Sequence, residues 1–234
     1  MQADGKDSSE RGRGRMAGFV LALLIVCASP ALAQPPDLSG GWMLTGGRTM
    51  FGAWDLTDEG RRRFEAYDFK TDDPALKCIG ASWTRVWLNP NVLVQITQAA
   101  DHVRLRYEWM DLDRRVPLID PSMPDAPRGS IPGHPALGRY AAWYDGAALV
   151  IETVDVAPGY VSTMEKWAGL PQSRRMRTIE RLTRLGDVLT IEITHVDPAM
   201  YRRPLVVTIT YPRSKFELME YNCSPEDAAV VAPK

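Results

Sequence analysis

Apolar and polar residues alternate along much of the chain, which is the pattern of β-strands that place one face in a core. Residues 92–97 and 103–109 alternate on either side of a short polar turn and predict an antiparallel pair. In the second segment Tyr107 and Trp109 fall on the apolar face, whereas Glu108 falls on a face that also carries arginines. The two segments therefore predict a sheet with one apolar face and one charged face.

The strongest turn signal is Asp145-Gly146, a pair that accepts the positive backbone angles of a tight hairpin turn. Residues 149–151, which follow this turn, are bulky or β-branched and fall on both faces of the predicted strand. A carboxylate in such a strand, as at Glu152, must be paired, hydrated or protonated. Glu152 is therefore either an ion-pair partner of an arginine or a candidate general base.

One helix is predicted, over residues 56–67, because Thr57 can cap its N-terminus and acidic residues fill its first turn. Two connections, 111–137 and 158–173, are predicted to be irregular, and the first is rich in proline. Its length is typical of a lid or a binding loop. Further strands are predicted at 175–184, 188–196, 205–211 and 216–223.

Short strands, glycine turns and one short helix near the N-terminus predict a mostly all-β domain with long loops. We expect an antiparallel meander of about eight to ten strands that forms a lipocalin- or calycin-like barrel or a strongly curved sheet. The Gly40-x-Trp42 motif is similar to the motif at the start of lipocalin barrels. A glycine before a buried tryptophan also suits other β-sandwiches, so this motif alone does not choose between them.

Residues 1–33 have the organisation of a secretory signal peptide, with an arginine-containing start, an apolar run at 16–27 and a cleavage site at Ala31-Leu32-Ala33. The apolar run is too short to span a bilayer, so no stable membrane insertion is expected. Lipid attachment at Cys27 is the alternative. We therefore expect a periplasmic or secreted protein in which residues 34–234 form a single β-barrel-like domain.

The charge balance indicates which partners the protein can bind, and the cysteine content indicates the compartment in which it occurs. The 28 lysines and arginines nearly balance the 29 aspartates and glutamates, and no basic blocks occur, which argues against a nucleic-acid partner. Once Cys27 leaves with the signal peptide, Cys78 and Cys223 remain as an even pair in an oxidising compartment. They predict a disulfide, and two unpaired buried thiols are the alternative.

Several short motifs occur in a set order along the chain. They are DLSGGW at 37–42, LTDEG at 56–60, DP at 73–74 before Cys78, DG at 145–146 with LVIET at 149–153, ER at 180–181, DP at 197–198 with Tyr201 and Pro204, and EYNC at 220–223. Their order and spacing resemble an uncharacterised family of secreted bacterial proteins. The resemblance implies the fold and the location but brings no established reaction. Members typically carry a small or hydroxyl residue where this chain has Tyr140, a glycine where it has Ala142, and a WEGDT segment where it has YDGAA at 144–148. An activity that used those polar groups would be altered or lost here.

The motifs of common hydrolases, nucleotide-binding proteins and structural zinc sites do not occur in the sequence. The candidate acid–base groups are Glu108, Glu152, Glu180 and His195. Glu180 and His195 fall on apolar strand faces at period two, so both could lie in one interior and act as a general acid–base pair. The alternative is that each is a core residue with satisfied hydrogen bonds.

The ligand-binding candidates are Arg115, Asp120, His134, Tyr144, Trp109 and Tyr107. Seven tryptophans and eight tyrosines suit an aromatic-lined pocket, although β-barrels also pack such residues in their cores. His134 could move over the mouth of a cavity or lie in solvent. The three histidines are not spaced as metal ligands, and neither a metal nor another cofactor is expected.

Two functions of different classes follow. The first is a calycin-like protein that binds an apolar or aromatic small molecule in a barrel cavity. The second is a cofactor-independent lyase, isomerase or hydrolase that acts on such a molecule by acid–base catalysis in the same cavity. Binding needs only a pocket, whereas catalysis also needs convergent polar groups with perturbed pKa values.

Overall fold

A computed structural model of the chain describes residues 35–45, 48–123 and 125–224. The predicted signal peptide, with Cys27 and the cleavage site after Ala33, lies outside these residues. No helix within the described ranges is long and apolar enough to cross a membrane.

Twelve β-strands occur in the described residues, and ten of them belong to one antiparallel sheet. In chain order they are β1 Gly40–Met43, β2 Thr49–Phe51, β3 Leu93–Gln98, β4 His102–Tyr107, β5 Asp113–Pro117, β6 Arg139–Asp145, β7 Ala148–Val154, β8 Gly159–Ser162, β9 Leu170–Gln172, β10 Arg177–Leu185, β11 Val188–Val196 and β12 Leu205–Ser214. The sheet order is β5-β4-β3-β1-β12-β11-β10-β7-β6, β2 pairs with β12, and β8 and β9 form a separate hairpin. Most neighbours follow each other along the chain, as in the predicted meander.

The sheet curves so far that its two edge strands approach each other. Just after β5, the Ile119 amide donates a hydrogen bond to the Ala142 carbonyl of β6 at 2.8 Å, and Leu118 forms an isolated parallel bridge with Ala142. A second isolated bridge joins Gly129 to Tyr140 of β6. The regular ladder does not continue around a full barrel. The fold is therefore the strongly curved, mostly antiparallel sheet that the sequence predicts.

The hairpin predicted at Asp145-Gly146 joins β6 to β7, with Asp145 paired to Ala148. Gly146 has a φ of 56°, a conformation that glycine adopts without steric cost. The pairs β3–β4 and β10–β11 also form where alternation predicts them. Local turn chemistry and period-two patterning thus account for most of the sheet.

Three short α-helices accompany the strands in the described residues: α1 Asp58–Glu65, α2 Phe69–Asp72 and α3 Trp83–Trp87. Thr57 caps α1 as predicted, since its hydroxyl accepts a hydrogen bond from the Gly60 amide at 3.0 Å. Gly60 is also needed for packing, because a Cβ there would lie 2.1 Å from the Met200 carbonyl oxygen. Neither α2 nor α3 is predicted from the sequence.

The short helix α3 occupies the interior of the curved sheet. Its Trp87 ring packs edge-on against Tyr107 of β4 and Tyr211 of β12, with centroid separations of 5.1 and 5.4 Å. Its Trp83 ring packs in the same way against Tyr140 of β6 at 5.6 Å. In the sheet order β4 lies near one end, β12 in the middle and β6 at the other end. The helix therefore fills the core from within.

The sequence prediction is wrong in three segments. The connection 111–137 contains β5, and 158–173 contains the β8–β9 hairpin. Proline is tolerated in β5 because this is an edge strand and Pro117 is its last residue, where a missing amide donor costs little. No strand forms at 216–223, since β12 ends at Ser214 and the described residues beyond it have no regular structure.

The predicted disulfide between Cys78 and Cys223 is present, with Cα atoms 5.6 Å apart. It holds residues 215–224 against the body of the molecule. The backbone of this C-terminal segment is also bound by carboxylates, as where the Met219 amide donates to Glu108 Oε1 at 2.9 Å. The bridge therefore joins the region after α2 to an irregular C-terminal segment rather than to a last strand.

Candidate functional site

A carboxylate and a guanidinium lie side by side inside the curved sheet. Glu180 of β10 and Arg114 of β5 both have fully buried side chains. Arg114 donates from Nη1 to Glu180 Oε1 at 3.0 Å and from Nη2 to Glu180 Oε2 at 2.6 Å. The Trp87 indole of α3 also donates to Oε1, at 2.6 Å, and Arg114 Nη2 donates to the Thr153 hydroxyl at 3.2 Å. The ion pair thus joins two strands to the interior helix.

Aromatic rings surround the Arg114 guanidinium. Its Cζ atom is 3.5 Å from the ring centroid of Trp83 and 4.7 Å from that of Tyr140, distances at which a cation is attracted to an aromatic face. Burial acts to lower the pKa of Arg114, but Glu180, Tyr107 and Tyr140 together outweigh burial and the pKa is raised. Arg114 Nε and the Tyr107 hydroxyl are buried without a hydrogen-bond partner among the described residues. Arg114 therefore remains a buried cation whose main counter-charge is Glu180.

His195 of β11 lies on the same inner face of the sheet. Its Nε2 atom is 2.8 Å from the Thr84 hydroxyl of α3, and its Nδ1 atom is 3.2 Å from the Thr178 hydroxyl of β10. Complete burial lowers the pKa of His195 to about 3, so the imidazole is neutral at pH 7. A neutral imidazole has one donor and one acceptor nitrogen. Both nitrogens are therefore already engaged by hydroxyl groups.

The structure brings Glu180 and His195 into one interior, as the sequence predicts, and joins them through α3. Thr84 and Trp87 lie about one turn apart on this helix and bind His195 and Glu180, respectively. All these polar partners belong to the protein core, so the described contacts position the helix. The acid–base role of the two residues stays a prediction.

Arg114 is a central interior residue that the sequence candidates do not include. It lies between Leu112 and Val116 at period two, and all three side chains are buried. This alternation is a signal for an inward-facing strand residue. The prolines of 111–137 outweigh that signal and favour an irregular connection instead.

Glu152 of β7 lies on the outer face of the sheet, opposite to Glu180. Ile151 pairs with Glu180 and shares its face, and successive residues of a strand point to opposite faces. Arg128 Nη2 donates to Glu152 Oε2 and Arg177 Nε donates to Oε1, each at 2.5 Å. Burial acts to raise the pKa of Glu152, but the two arginines outweigh burial and the pKa is lowered. Glu152 therefore does not share the interior with His195, and of its two predicted roles its contacts are those of an ion-pair partner.

Glu152→Gln is expected to lower the free energy of unfolding by about 1–2 kcal/mol, because Arg128, which is largely buried, loses its carboxylate partner. Chemical denaturation at pH 7 measures the change. The matched control is Asp145→Asn on the same hairpin, where the exposed pair of Asp145 with Arg181 at 2.7 Å should contribute less than about 1 kcal/mol. If Glu152→Gln is as stable as the wild type, the ion pairs do not stabilise the fold.

Glu108 lies buried just after β4, where it binds backbone amides. Its Oε2 atom accepts a hydrogen bond from the Leu93 amide at 2.7 Å and its Oε1 atom accepts one from the Met219 amide at 2.9 Å. The C-terminal segment also covers a small pocket of about 70 Å³ that Tyr107 and Leu112 help to line. The contacts of Glu108 are thus those of a group that fixes the C-terminal segment to the sheet.

The six predicted ligand-binding residues do not converge on one place. Two of them lie on the surface, where Arg115 pairs with Asp101 and Asp120 binds Ser122 in an exposed turn. Two accept hydrogen bonds in different places, His134 from the Gly80 amide and Tyr144 from the Gln98 side chain. The Trp109 ring lies beneath Arg85, and Tyr107 packs in the interior. Within the described ranges, no group of three or more His, Cys, Asp or Glu side chains is arranged to hold a metal ion. The predicted residues thus do not define a common pocket.

An apolar depression of about 380 Å³ lies between the α1–α2 region and the β8–β9 hairpin, lined by Tyr67, Phe69, Thr163 and Ala168. Phe69 is 52% exposed at its rim. These residues are not among the sequence candidates, because their segments are predicted to be an amphipathic helix and irregular chain. The signal that could have revealed the depression is the density of aromatic residues in both segments.

The walls of the depression are held by contacts behind them. The Tyr67 ring packs edge-on against Tyr160, with centroids 4.8 Å apart. Phe51 of β2 stacks on Trp167, close to Ala168 in the chain, with centroids 4.5 Å apart and planes 18° from parallel. Thr163 is fixed from the far side, where Arg85 Nε donates to its hydroxyl at 3.0 Å. These walls are therefore preorganised rather than loose.

Comparison with known proteins assigns no family to the chain: no family model matches it, and no curated protein matches it. Similar solved structures include two mutants of the fluorescent protein UnaG, which are 12% and 13% identical to this chain, each with a TM-score of 0.38 over 76% of this chain and 97% of the other. Another is a secretary abundant heat soluble (SAHS) protein from Ramazzottius varieornatus, 11% identical, with a TM-score of 0.38 over 79% of this chain and 100% of its own.

Proposed function

We propose that this chain is an exported protein that binds a small apolar or aromatic molecule in the depression between α2 and the β8–β9 hairpin. The observation that carries the proposal is the depression itself, whose volume of about 380 Å³ lies within the range of small-molecule sites. Its lining is mainly apolar and aromatic, which matches the ligand class that the sequence suggests. The site differs from the barrel cavity expected from the sequence, because α3 fills the interior.

Binding is better supported than acid–base catalysis. Glu180 accepts three hydrogen bonds from Arg114 and Trp87, and His195 is held between Thr84 and Thr178. A general acid or base must reach the proton that it transfers. Neither group faces the depression or solvent, so the lyase, isomerase or hydrolase alternative has no accessible acid–base pair among these interior residues.

Export is proposed from the sequence of residues 1–33, which has the polar start, apolar run and cleavage site of a signal peptide. The disulfide between Cys78 and Cys223 is consistent with this proposal, because such bonds persist in the periplasm and outside the cell. The mature protein would then begin at Gln34. Its ligand would be a molecule present in that compartment.

The rigidity of the walls favours binding over a chance surface feature. A site whose side chains are already held in place loses little conformational freedom when a ligand enters. Tyr67 and Trp167 are each packed against another ring, whereas Phe69 remains half-exposed at the rim. A flat or apolar ligand would cover Phe69 and remove its ring from water, which is the main expected source of affinity.

The wild type is expected to bind a neutral aromatic probe, N-phenyl-1-naphthylamine, with a rise in probe fluorescence, and Ala168→Phe is expected to weaken binding by about tenfold or more because the new ring fills the depression. Fluorescence titration gives both dissociation constants. The matched control is Leu185→Phe at the β10–β11 turn, where Leu185 is 87% exposed. This variant should bind as the wild type does, and both variants should keep the wild-type melting temperature within a few degrees.

Two results would contradict the proposal. If the folded wild type does not bind the probe, the depression is not a binding site for apolar molecules of this size. If Ala168→Phe and Leu185→Phe bind the probe as tightly as the wild type, the probe binds elsewhere and the assigned site is wrong.

A further inference from the structure

We infer that the molecule bound in the depression carries a positive charge beside its apolar part, as an aryl- or alkylammonium ion does. The inference rests on the proposed function and concerns the same site. Two features carry it: the aromatic side chains that form the walls, and the carboxylates that border them without a cationic partner among the described residues.

The aromatic walls are suited to a cation. Tyr67 and Phe69 both line the depression, and Tyr160 packs against Tyr67 from behind. A cation placed over an aromatic face is attracted by the negative potential of the ring, and quaternary ammonium groups are commonly recognised in this way. The exposed ring of Phe69 leaves one such face open to a ligand.

Two carboxylates border these rings. Asp72 Oδ2 accepts a hydrogen bond from the Tyr160 hydroxyl at 3.2 Å, and the buried Asp73 side chain accepts one from the Ala75 amide at 3.0 Å. Neither carboxylate lies within ion-pair distance of a lysine or arginine in the part of the chain that the structure describes. Burial lowers the pKa of Arg85 and Asp73 acts to raise it, so Asp72 is the carboxylate whose negative charge is left for a cation supplied from outside.

The cations near the site do not cancel this charge at the walls. Arg85 is turned toward Thr163 and Asn89, to which it donates hydrogen bonds. The pKa of Tyr67 is raised to about 12, first by burial and then by Asp73 and Asp72, whereas Arg85 lowers it by less than either carboxylate raises it. At Tyr160 the influence of Asp72 on the pKa likewise exceeds that of Arg63.

Two lysines also lie close to the depression in the chain. Lys70 and Lys166 have exposed side chains, and Lys166 Nζ lies 5.2 Å from the ring centroid of Trp167. Exposed ammonium groups are hydrated and screened by salt within about 8–10 Å. At the two tyrosines the carboxylates act on the pKa more strongly than the neighbouring arginines do, which is the basis for inferring a cationic ligand.

The test compares two ligands of similar size and opposite charge, benzyltrimethylammonium and phenylmethanesulfonate, as competitors of bound N-phenyl-1-naphthylamine. The wild type is expected to bind the cation at least about threefold more tightly than the anion. Asp72→Asn keeps the shape of the side chain and should remove most of this preference, which is expressed as the ratio of the two competitors' affinities in the same variant. The matched control, Asp187→Asn at the exposed β10–β11 turn, should keep the preference.

The outcomes separate this inference from the proposed function. If the neutral probe binds and Ala168→Phe abolishes its binding, but cation and anion compete equally well, the charge inference fails and the binding function stands. The charge inference also fails, and the binding function again stands, if Asp72→Asn and the wild type prefer the cation equally. If the wild type binds none of the three probes, the proposed function itself fails and the inference falls with it.

Discussion

Glu180→Gln is expected to lower the free energy of unfolding by about 3–5 kcal/mol, the usual cost of removing one partner from a buried ion pair. The side chains of Glu180 and Arg114 are both 0% exposed, so the substitution leaves a guanidinium charged and unpaired in the core. The new amide group would also turn a donor toward Arg114 or toward the Trp87 indole, where Glu180 now accepts. The loss should therefore exceed the effect of any single surface pair.

Chemical denaturation of five proteins tests this expectation: the wild type, Glu180→Gln, Arg114→Met, the double variant Glu180→Leu with Arg114→Met, and one control. Each single variant should be strongly destabilised, whereas the double variant should recover much of the loss, because no unpaired charge remains. Glu192→Gln on the exposed face of β11 is the control and should change stability by less than about 0.5 kcal/mol. Wild-type stability in Glu180→Gln would contradict the structural role and favour a poised acid or base at this position.

Much of the sheet and the start of α1 could be predicted because the sequence patterns that specify them are local. Alternation and the Asp145-Gly146 turn specify β6, β7, β10 and β11, and the same period places Glu180 and His195 on inner faces. Thr57 marks the start of α1 through hydrogen bonding within a single turn. Each of these features depends on residues close together in the chain, so pattern and propensity agree with the final fold.

The helix α3, which packs inside the curved sheet, could not be predicted from the sequence. Residues 83–87 contain two tryptophans, a threonine and a valine, types that favour strands over helices in isolation. Their helix has only five residues and is stabilised by contacts with Tyr107, Tyr140 and Tyr211, which come from distant strands. Tertiary packing therefore decides this segment, and with it the contact of Trp87 with Glu180 in the interior.

The C-terminal segment shows the opposite error. Residues 216–223 have enough apolar side chains to suggest a strand, yet no neighbouring strand among the described residues supplies the ladder hydrogen bonds. The amides of Met219 and Tyr221 donate to the carboxylates of Glu108 and Asp111 instead. Strand propensity without a partner strand does not produce a strand, because sheet stability comes from cross-strand pairing.

The candidate site was harder to predict than the fold. Tyr67 and Ala168 are separated by about a hundred positions, and tertiary packing, such as that of α1 against β9 and of Tyr67 against Tyr160, brings their segments together. A depression formed by two irregular or short elements has no period and no motif in the sequence. Such a site can be located only once the tertiary structure is known.

When the pH is lowered from 7 to 5, the free energy of unfolding of the wild type is expected to fall by about 2 kcal/mol more than that of His195→Gln. The usual pKa of histidine, 6.5, applies to the unfolded chain, whereas burial lowers the folded pKa of His195 to about 3. The folded state therefore takes up no proton at this position between pH 7 and pH 5, while the unfolded state does. The stability that His195 contributes is present above pH 6.5 and is lost as the pH falls toward the folded value.

Urea denaturation at pH 7, 6 and 5 gives the slope of unfolding free energy against pH for the wild type and for His195→Gln. The difference between the two slopes removes the contributions of His102 and His134, which both proteins retain. Thr84→Val is the control, because it removes a hydroxyl that contacts His195 Nε2 but keeps the titrating ring buried. This variant should be less stable than the wild type at every pH and yet show the wild-type slope. If the wild type and His195→Gln lose stability equally between pH 7 and pH 5, then His195 either reaches solvent or takes up its proton in the folded state, and its assignment as a neutral core residue is wrong.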